Sequence, residues 1–294
     1  MSAGEVAGGA SLDGSAWIGR ETRQRLRATR DTVACFEATL DRPAPADDAA
    51  LAPLRHWLWV FAPPPTATAR LAPDGHPPRG ELVPDWPLPR RMWAGSEVTF
   101  LESVPADALL ERVITVESAN FKHGRSGTLG FVVLRHRWLL DGRCAIDDRQ
   151  TVVYREPVAP GGPVAPAPAP SPATAPEPGA WNVAHSPSEV LLFRYSALTF
   201  NSHRIHYDAA YTRDVEGYPG LVVQGPLMAT LMLDAFRDAH PRARVRRFAF
   251  RALLPAFAGQ PIHCGGVPDG DGRSRLWVRD AQGREHVAGE VVHD

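Results

Sequence analysis

The sequence predicts an α+β protein built from two halves of similar size. Each half contains one helical segment and several strand-like runs with turn signals between them. Between the halves, residues 157–179 hold nine prolines interleaved with Ala, Gly and Ser. Such a stretch cannot pack a core and favours an extended spacer. We therefore expect domains at 1–156 and 180–294, each long enough to fold as one unit.

In the first half, Val33, Phe36 and Leu40 recur at helical spacing, which predicts a helix over residues 20–40. Prolines interrupt residues 41–91, including the string Asp74-Gly75-His76-Pro77, and predict a long loop. Strand-like runs follow, and Asp141-Gly142 is a turn signal between the last two. We expect strands at 97–101, 109–117, 130–140 and 150–155.

In the second half, the apolar run 190–200 predicts a strand. A helix is expected over residues 225–240, with Pro226 in its first turn and Pro241 just past its end. Its apolar stripe is formed by Leu227, Met228, Leu231, Met232, Ala235 and Phe236. Further strands are expected at 245–254, 275–279 and 284–292.

Composition excludes several classes of protein. Lys and Arg total 32 against 33 Asp and Glu, a net charge of -1, which argues against a nucleic-acid binder. The three cysteines lie far apart, without zinc or redox spacing, and suit a reducing compartment. No apolar run approaches the ~20 residues that span a bilayer, and residues 1–14 have no apolar signal core. We expect a soluble cytoplasmic protein with no membrane or nucleic-acid partner.

The densest polar string runs from Phe200 to Asp208, and three interpretations of it are open. Asn, Ser and His are ordinary turn formers after a strand. His203, His206 and Asp208 are also of metal-ligand type. A helical His-x-x-x-His spacing is absent, however, and no Cys or Glu is close by, so we expect no metal.

The third interpretation is catalytic. The amide of Asn201 and the imidazole of His206, five residues apart, could hold one water molecule. A histidine can remove a proton from that water or return one. The glycine- and proline-rich entry to the following helix offers backbone N–H groups, first that of Gly225, to an oxyanion on a thioester. Together these groups suit addition of water to, or its elimination from, an α,β-unsaturated thioester.

The same string resembles the hydratase motif of the MaoC-like, (R)-specific enoyl-CoA hydratases, Asp-x-Asn-Pro-Leu-His. Asn201 stands at the Asp position, His203 at the Asn position, Arg204 at the Pro position and His206 at the His position. Gln224-Gly225-Pro226-Leu227 is similar to the family's His-Gly-Met-Leu helix start. Because an amide cannot be a general base, the resemblance leaves proton transfer to His206, with Asn201 orienting the water or the substrate.

The residues of the motif resemble one branch of that family more closely than the others. This branch contains mesaconyl-C4-CoA (3-methylfumaryl-CoA) hydratases, itaconyl-CoA hydratases and mitochondrial 3-hydroxyacyl-thioester dehydratases. The first half resembles the N-terminal segments of the branch at three places. They are Leu88 to Gly95, His56-Trp57-Leu58 and Phe121 to Gly124.

The resemblance implies a double hotdog fold, in which two helix-wrapped antiparallel sheets in one chain mimic a dimer. Only the second half would be catalytic, and the first half, lacking the motif, would shape the acyl pocket. Arg90, Arg91 and Trp93 are candidates for substrate binding there, because a guanidinium binds a free acyl carboxylate well. The alternative is that either arginine merely lies solvated on a loop.

Three further candidates for substrate binding lie in the second half, namely His203, Tyr207 and Gln224. Tyr207 could equally serve only in packing. We expect no cofactor other than the coenzyme A that is part of the substrate, and a homodimer.

The resemblance implies reversible hydration of a short dicarboxylic enoyl-CoA, with mesaconyl-C4-CoA giving citramalyl-CoA as the best candidate. One alternative is dehydration of longer 3-hydroxyacyl thioesters on coenzyme A or acyl carrier protein. Another is a non-catalytic thioester-binding protein, which the amide of Asn201 favours and the retained His206 opposes.

Overall fold

A computed structural model describes residues 13–46, 49–61, 65–124, 127–156 and 178–294. The described strands form one antiparallel sheet of ten strands. Those of the first half are β1 (Glu21–Arg27), β2 (Arg90–Phe100), β3 (Leu109–Gly124), β4 (Gly127–Leu140) and β5 (Arg143–Arg155). Those of the second half are β6 (Trp181–His185), β7 (Val245–Ala252), β8 (Ile262–Pro268), β9 (Arg273–Asp280) and β10 (Glu285–His293).

Four α-helices accompany the sheet within the described residues. They are α1 (Arg30–Thr39), α2 (Glu189–Thr199), α3 (Ala209–Asp214) and α4 (Gly225–Ala239). The α+β class is therefore confirmed. The predicted spacer falls almost entirely on residues 157–177, outside the described residues, so the domain limits stay a prediction.

The order of strands across the sheet repeats itself. It runs β1-β3-β4-β5-β2-β7-β10-β9-β8-β6. Counted outward from the centre, each half places its second strand first, then its fifth, fourth, third and first. The two halves therefore share one connectivity and meet where β2 pairs with β7, through Gly95↔Arg251 to Thr99↔Arg247.

The strand predicted over 190–200 is wrong, because this segment is helix α2. Ser188 caps the helix by accepting a hydrogen bond from the Leu191 N–H at 3.2 Å. Its buried side chains recur every three to four residues, at Leu192, Tyr195, Ser196 and Thr199. Apolar side chains also lie on the exposed face, where Phe193 is 64% exposed, and they hide this helical period in the sequence.

The helix predicted over 20–40 begins too early. Residues 21–27 form edge strand β1, paired with β3 from Glu21↔Thr115 to Arg27↔Leu109, and only α1 is helical. Strands β6 and β8 were not expected. Gly265 and Gly266 weaken a strand in general, yet β8 needs them, since a Cβ on Gly266 would lie 2.4 Å from the Trp181 ring.

Other expectations are confirmed. Helix α4 begins at Gly225 as predicted, with Gln224 as its N-cap residue and Pro226 in its first turn. Asp141 and Gly142 turn between β4 and β5 with φ of 47° and 79°. Strand β2 begins earlier than expected, at Arg90, and this extension carries the predicted arginines toward the second half.

A buried ion-pair network connects helix α4 of the second half with helix α1 of the first half. Arg55 is 1% exposed and donates to both carboxylate oxygens of Glu37 in α1, at 2.7 and 2.9 Å. It also donates to both oxygens of Asp234 in α4, at 3.1 and 2.9 Å. Burial opposes the charge, but the two carboxylates outweigh it and raise the pKa of Arg55. The network therefore ties α1 and the segment around residue 55 to the long helix.

We expect Arg55→Met to lower the free energy of unfolding by about 3–5 kcal/mol, because the substitution removes the buried cation that two buried carboxylates share. Among the described residues, Glu37 and Asp234 then keep only Arg42 and Arg237, whose side chains are partly exposed. Urea unfolding followed by circular dichroism measures this loss. Arg213→Met is the matched control, since Arg213 and its partner Asp214 have side chains 64% and 60% exposed, and little change is expected there. An equal effect of both substitutions would contradict the role given to the network.

Candidate active site

The hydratase-like string lies in a loop between α2 and α3. Phe200 adopts the left-handed conformation, with φ of 56°, and so ends α2. One 3₁₀ turn follows at Arg204–His206, and Asp208 then caps α3 by accepting from the Tyr211 N–H at 2.9 Å. Asn201, His203 and His206 are each at most 8% exposed. We call residues 200–208 the motif loop.

His206 has a defined tautomer. Its Nδ1 lies 2.7 Å from the carbonyl oxygen of Val222, and a carbonyl only accepts, so Nδ1 carries the hydrogen. Burial lowers the pKa of His206 to about 4, against the effect of this hydrogen bond. The ring is therefore neutral near pH 7, and its Nε2 holds a lone pair that can accept a hydrogen bond or a proton.

The amide of Asn201 is also oriented. Its Oδ1 accepts the backbone N–H of His203 at 3.1 Å. This contact leaves the Nδ2 group to donate, and Asn201 lines a cavity of about 330 Å³. The arrangement suits an amide that donates to the oxygen of a water molecule or of a thioester.

The start of α4 lies beside the motif loop. The Val222 N–H donates to the carbonyl of Ile205 at 2.9 Å, so the segment before α4 is bonded to the loop in both directions. Gly225 is the first residue of the helix, and its N–H has no acceptor within the helix. The positive end of the helix dipole adds to the attraction for an oxyanion there.

The side-chain amide of Gln224 makes structural hydrogen bonds. Its Nε2 donates to the Leu192 carbonyl and to Ser196 Oγ, both at 3.0 Å, and so ties the start of α4 to α2. Its Oε1 is buried without a hydrogen-bond partner among the described residues. Gln224 therefore positions the helix start on which Gly225 lies.

Strand β2 brings the three predicted residues of the first half close to this region, in different roles. Arg90 donates to Glu216 at 2.7 Å, and its guanidinium lies over the Tyr218 ring. Arg91 donates to the Pro77 carbonyl at 2.7 Å. Trp93 packs edge-on against Trp57 and donates to Gly95 and Ser96, which indicates a packing role.

His203 lies at the centre of the polar groups. Its ring is 4.2 Å from that of His76 and 5.4 Å from that of His206, measured between centroids. Burial first, and then His76, His206 and the two arginines of β2, hold the pKa of His203 well below its usual value. Arg90 and Arg91 are therefore electrostatic neighbours of the motif loop.

The cavity beside Asn201 has mostly apolar walls. Phe61, Leu71, Phe193 and Phe200 line it, together with Tyr207. Tyr207 is 48% exposed, and its hydroxyl donates to the Ser202 carbonyl at 3.2 Å. An acyl chain is the kind of ligand that such walls favour.

Sequence reasoning missed two residues of the site, Asp74 and His76. They belong to the loop predicted from prolines, and nothing in the local pattern indicated a contact with residues 127 positions away. His76 lines the same cavity as Asn201, and its Nδ1 lies 3.2 Å from Asp74 Oδ2. The same carboxylate oxygen, Asp74 Oδ2, also lies 3.6 Å from Arg91 Nε.

Asp74, His76 and His203 are the described residues grouped closely enough to hold a cation, with one ligand atom each within 4.8 Å of the others. The positive charge of Arg91 at 3.6 Å from Asp74 opposes a cation there. Asp208, considered with the histidines from the sequence, instead pairs with Arg204 at 2.7 Å.

The fold and the motif loop define a class, the double hotdog proteins with a hydratase-type site. A protein of Mycobacterium tuberculosis described as a double hotdog fold superposes with a TM-score of 0.61, 15% identity and coverage of 97% of this chain and 99% of that chain. A MaoC-like dehydratase from Phytophthora capsici gives a TM-score of 0.70 at 16% identity, covering 94% and 95%. These likenesses confirm the double hotdog fold.

The family follows from sequence comparison. The model of hydroxyacyl-thioester dehydratase type 2 matches residues 55–258, and the chain belongs to this family. It is 38% identical to a mesaconyl-C(4)-CoA hydratase of Chloroflexus aurantiacus, over 89% of this chain and 91% of that protein. It is also 48% identical over 79 residues to a mitochondrial hydroxyacyl-thioester dehydratase type 2 of Schizosaccharomyces pombe, which covers 26% of each chain. The predicted branch of the MaoC-like family is confirmed.

None of the helices in the described part of the chain has the length and apolar character required to cross a bilayer.

The buried histidines predict an acid-sensitive fold. Burial lowers the pKa of His206 to about 4 and that of His136 to about 3. Since the unfolded chain binds these protons near pH 6.5, the contribution of these histidines to stability is constant above that value and falls as the pH drops from about 6.5 toward 4. We expect each such histidine to cost about 1 kcal/mol at pH 5.5, a pH at which most carboxylates are still ionised.

Thermal unfolding at pH 7.5 and pH 5.5 measures this effect, with a lower Tm expected at pH 5.5. The His136→Leu variant should show a smaller difference between the two pH values, because it removes one of the groups. A Tm independent of pH in this range would contradict the buried neutral state of these rings.

Proposed function

We propose that this protein is a hydro-lyase that reversibly adds water to the double bond of a short dicarboxylic enoyl-CoA. Mesaconyl-C4-CoA, which would give citramalyl-CoA, is the best candidate substrate. The observation that carries the proposal is the neutral ring of His206, whose bond to Val222 leaves Nε2 free in the motif loop. Similarity over almost the whole chain to a hydratase named for this substrate supports the same choice.

In the proposed reaction, Asn201 Nδ2 donates to the water oxygen and His206 Nε2 accepts from the water. The water oxygen bonds to Cβ, an imidazole of the site takes the water proton, and the electron pair of the double bond moves onto the thioester as an enolate. The N–H of Gly225 or its neighbour stabilises the enolate oxygen. The imidazolium then returns the proton to Cα, so that one water molecule is added and the enzyme is unchanged.

The free carboxylate of mesaconyl-C4-CoA is attached to Cβ, the carbon that water attacks. Its partner must therefore lie within a few ångströms of the water site. Arg90 and Arg91 are electrostatic neighbours of His203 in the motif loop, and each has guanidinium nitrogens beyond those it uses for Glu216 and Pro77. We propose that they bind this carboxylate, since a guanidinium suits it by charge and shape.

A second candidate substrate is a longer 3-hydroxyacyl thioester, on coenzyme A or acyl carrier protein. The aromatic and aliphatic walls of the 330 Å³ cavity favour it. Relatives named as hydroxyacyl-thioester dehydratases also match part of this chain. The water site and the chemistry would be the same in reverse, and only the acyl pocket would differ.

In either case we propose that coenzyme A takes part only as a portion of the substrate and that no separate cofactor is used. We further propose a cytoplasmic homodimer. The three free cysteines fit a reducing compartment. Light scattering of the purified protein tests the oligomeric state, and a monomeric mass would contradict it.

A hydration assay by mass spectrometry tests the function, with mesaconyl-C4-CoA, itaconyl-CoA, crotonyl-CoA and a medium-chain enoyl-CoA as the panel. We expect a gain of one water on mesaconyl-C4-CoA and a loss of at least about tenfold in kcat for His206→Ala, because this variant loses a hydrogen bond to the reacting water, worth about 1 kcal/mol or more. The control is His123→Gln, a change of an exposed histidine at the end of β3 that should retain activity.

The outcomes of the panel separate the candidates. Preference for the medium-chain substrate would favour the second candidate, a longer 3-hydroxyacyl thioester. Absence of turnover on every thioester, with thioester binding intact, would contradict both and favour a non-catalytic binding protein.

For the carboxylate site, we expect Arg90→Gln to raise the KM for mesaconyl-C4-CoA at least about tenfold, because a charge-assisted hydrogen bond is worth about 1.5–3 kcal/mol. The KM for crotonyl-CoA should change little, since crotonyl-CoA has no second carboxylate. Steady-state kinetics on the two substrates checks the difference. Equal changes in both KM values would assign Arg90 to structure through its bond to Glu216.

A further inference from the structure

The loop at residues 72–77, from the first half of the chain, is fixed onto the motif loop. The Arg204 N–H donates to the Asp74 carbonyl at 2.9 Å, and the Ser202 hydroxyl donates to the Gly75 carbonyl. Gly75 has φ of +88°, and a Cβ there would lie 1.9 Å from the Ser202 carbonyl oxygen. Only glycine fits this approach, so the two loops form one built surface.

Within this loop, Asp74 holds the ring of His76. One carboxylate oxygen accepts the His76 backbone N–H at 2.9 Å, and the other accepts from His76 Nδ1 at 3.2 Å. Burial would raise the pKa of Asp74, but the hydrogen bonds from His76 and the charge of Arg91 lower it to about 2. Asp74 is therefore ionised, and a neutral His76 carries its hydrogen on Nδ1 and a lone pair on Nε2.

His76 shares a cavity with Asn201, the residue proposed to donate to the reacting water. It is also near enough to His206 that a positive charge on His76 lowers the pKa of His206. Its ring contacts that of His203 at 4.2 Å, and His203 contacts His206. The site thus contains two imidazoles with the same tautomer, one backed by a carboxylate and the other by a carbonyl.

We propose that the Asp74–His76 pair is the general base of the active site, supplied by the first half of the chain in place of the carboxylate that Asn201 cannot provide. This inference rests on the proposed function. It gives proton transfer to His76 rather than to His206, to which the sequence pattern had assigned it. His206 then accepts a hydrogen bond from the water and orients it.

The physical reason is the stability of the imidazolium. A base must hold the proton between its removal from water and its return to Cα. For His206, the neutral Val222 carbonyl is the only group among the described residues that supports the charged ring against burial. Burial and the charge of Arg91 also lower the pKa of His76, but the ionised Asp74 opposes both through a hydrogen bond and through its charge. A carboxylate behind an imidazole stabilises the imidazolium and fixes its tautomer.

The steps balance without another reactant. His76 Nε2 takes one proton as the water oxygen bonds to Cβ and the π electrons form the enolate. The His76 imidazolium, paired with Asp74, then gives the same proton to Cα as the thioester re-forms. One O–H bond of water breaks, and one C–O and one C–H bond form.

The experiment compares kcat and KM of the full-length protein and its variants on the thioester that the wild type hydrates best. His76→Ala should lower kcat about 10²–10⁴-fold, the range for loss of a general base. Free imidazole added to this variant should restore part of kcat, because the cavity next to residue 76 is open to a small base. Free imidazole should not restore kcat of the Asp74→Asn variant, because the ring of His76 is still present there.

Asp74→Asn tests the positioning residue. An amide at this place can turn its NH₂ toward Nδ1 and select the wrong tautomer, so kcat should fall at least about tenfold while KM stays nearly constant. Asp85→Asn is the matched control, since Asp85 lies in the same loop region with a side chain 66% exposed. Circular dichroism and Tm establish that each variant is folded.

The proposal is overturned if folded His76→Ala keeps kcat within about threefold of the wild type, or if imidazole restores His206→Ala and not His76→Ala. Loss of wild-type activity on EDTA treatment, restored by a divalent cation, would also overturn it, because Asp74, His76 and His203 would then act as metal ligands. An inactive wild type would instead refute the proposed function itself.

Discussion

The pairing of β2 with β7 is the constraint on which the rest of the molecule depends. It fuses two five-stranded units into one sheet through five residue pairs, Gly95↔Arg251 to Thr99↔Arg247. The approach is so close that a Cβ on Gly95 would lie 2.4 Å from the Phe250 carbonyl oxygen. We call the β2–β7 pairing the seam. Strand β2 starts at Arg90, before the seam begins at Gly95, and its first residues extend toward the motif loop. A register shift between Trp93 and Gly95 in the pairing with β5 marks the same place.

The site that results is made by both halves. The second half supplies Asn201, His206 and the start of α4, while the first half supplies His76 and the arginines of β2. If imidazole rescues His76→Ala, this composite character is catalytic and not only structural. The hydrogen bonds from Arg204 and Ser202 to the loop at 72–77 then have a function, since they fix the position of the base relative to the water.

The sequence predicted what local chemistry determines. The proline and apolar stripe of α4, the Asp141-Gly142 turn and the hydratase string could all be found from neighbouring residues. The sequence pattern predicted a strand where α2 lies, because Val190 and Phe193 are apolar but exposed and so hide the helical period of the buried residues. It missed β8, because the glycines that weaken a strand in isolation are required by the packing of Trp181 and Trp277. Asp74 and His76 could not be found, because their role depends on a contact between distant parts of the chain.

The interior of the first half disfavours a second acyl pocket there. Beneath its sheet, Trp57 donates to the fully buried Asp148 at 2.8 Å, and Gln150 donates to the same carboxylate at 2.7 Å. Arg112 is 2% exposed and donates to the carbonyls of Trp59 and Val60. These groups fill space with polar contacts that an acyl chain would have to break at a cost of about 1–3 kcal/mol each. Binding of a substrate inside the first half itself would therefore be unfavourable. One of the connecting loops of the first half reaches across the seam with a carboxylate and an imidazole, and in the proposed mechanism this pair supplies the base that an amide at position 201 cannot.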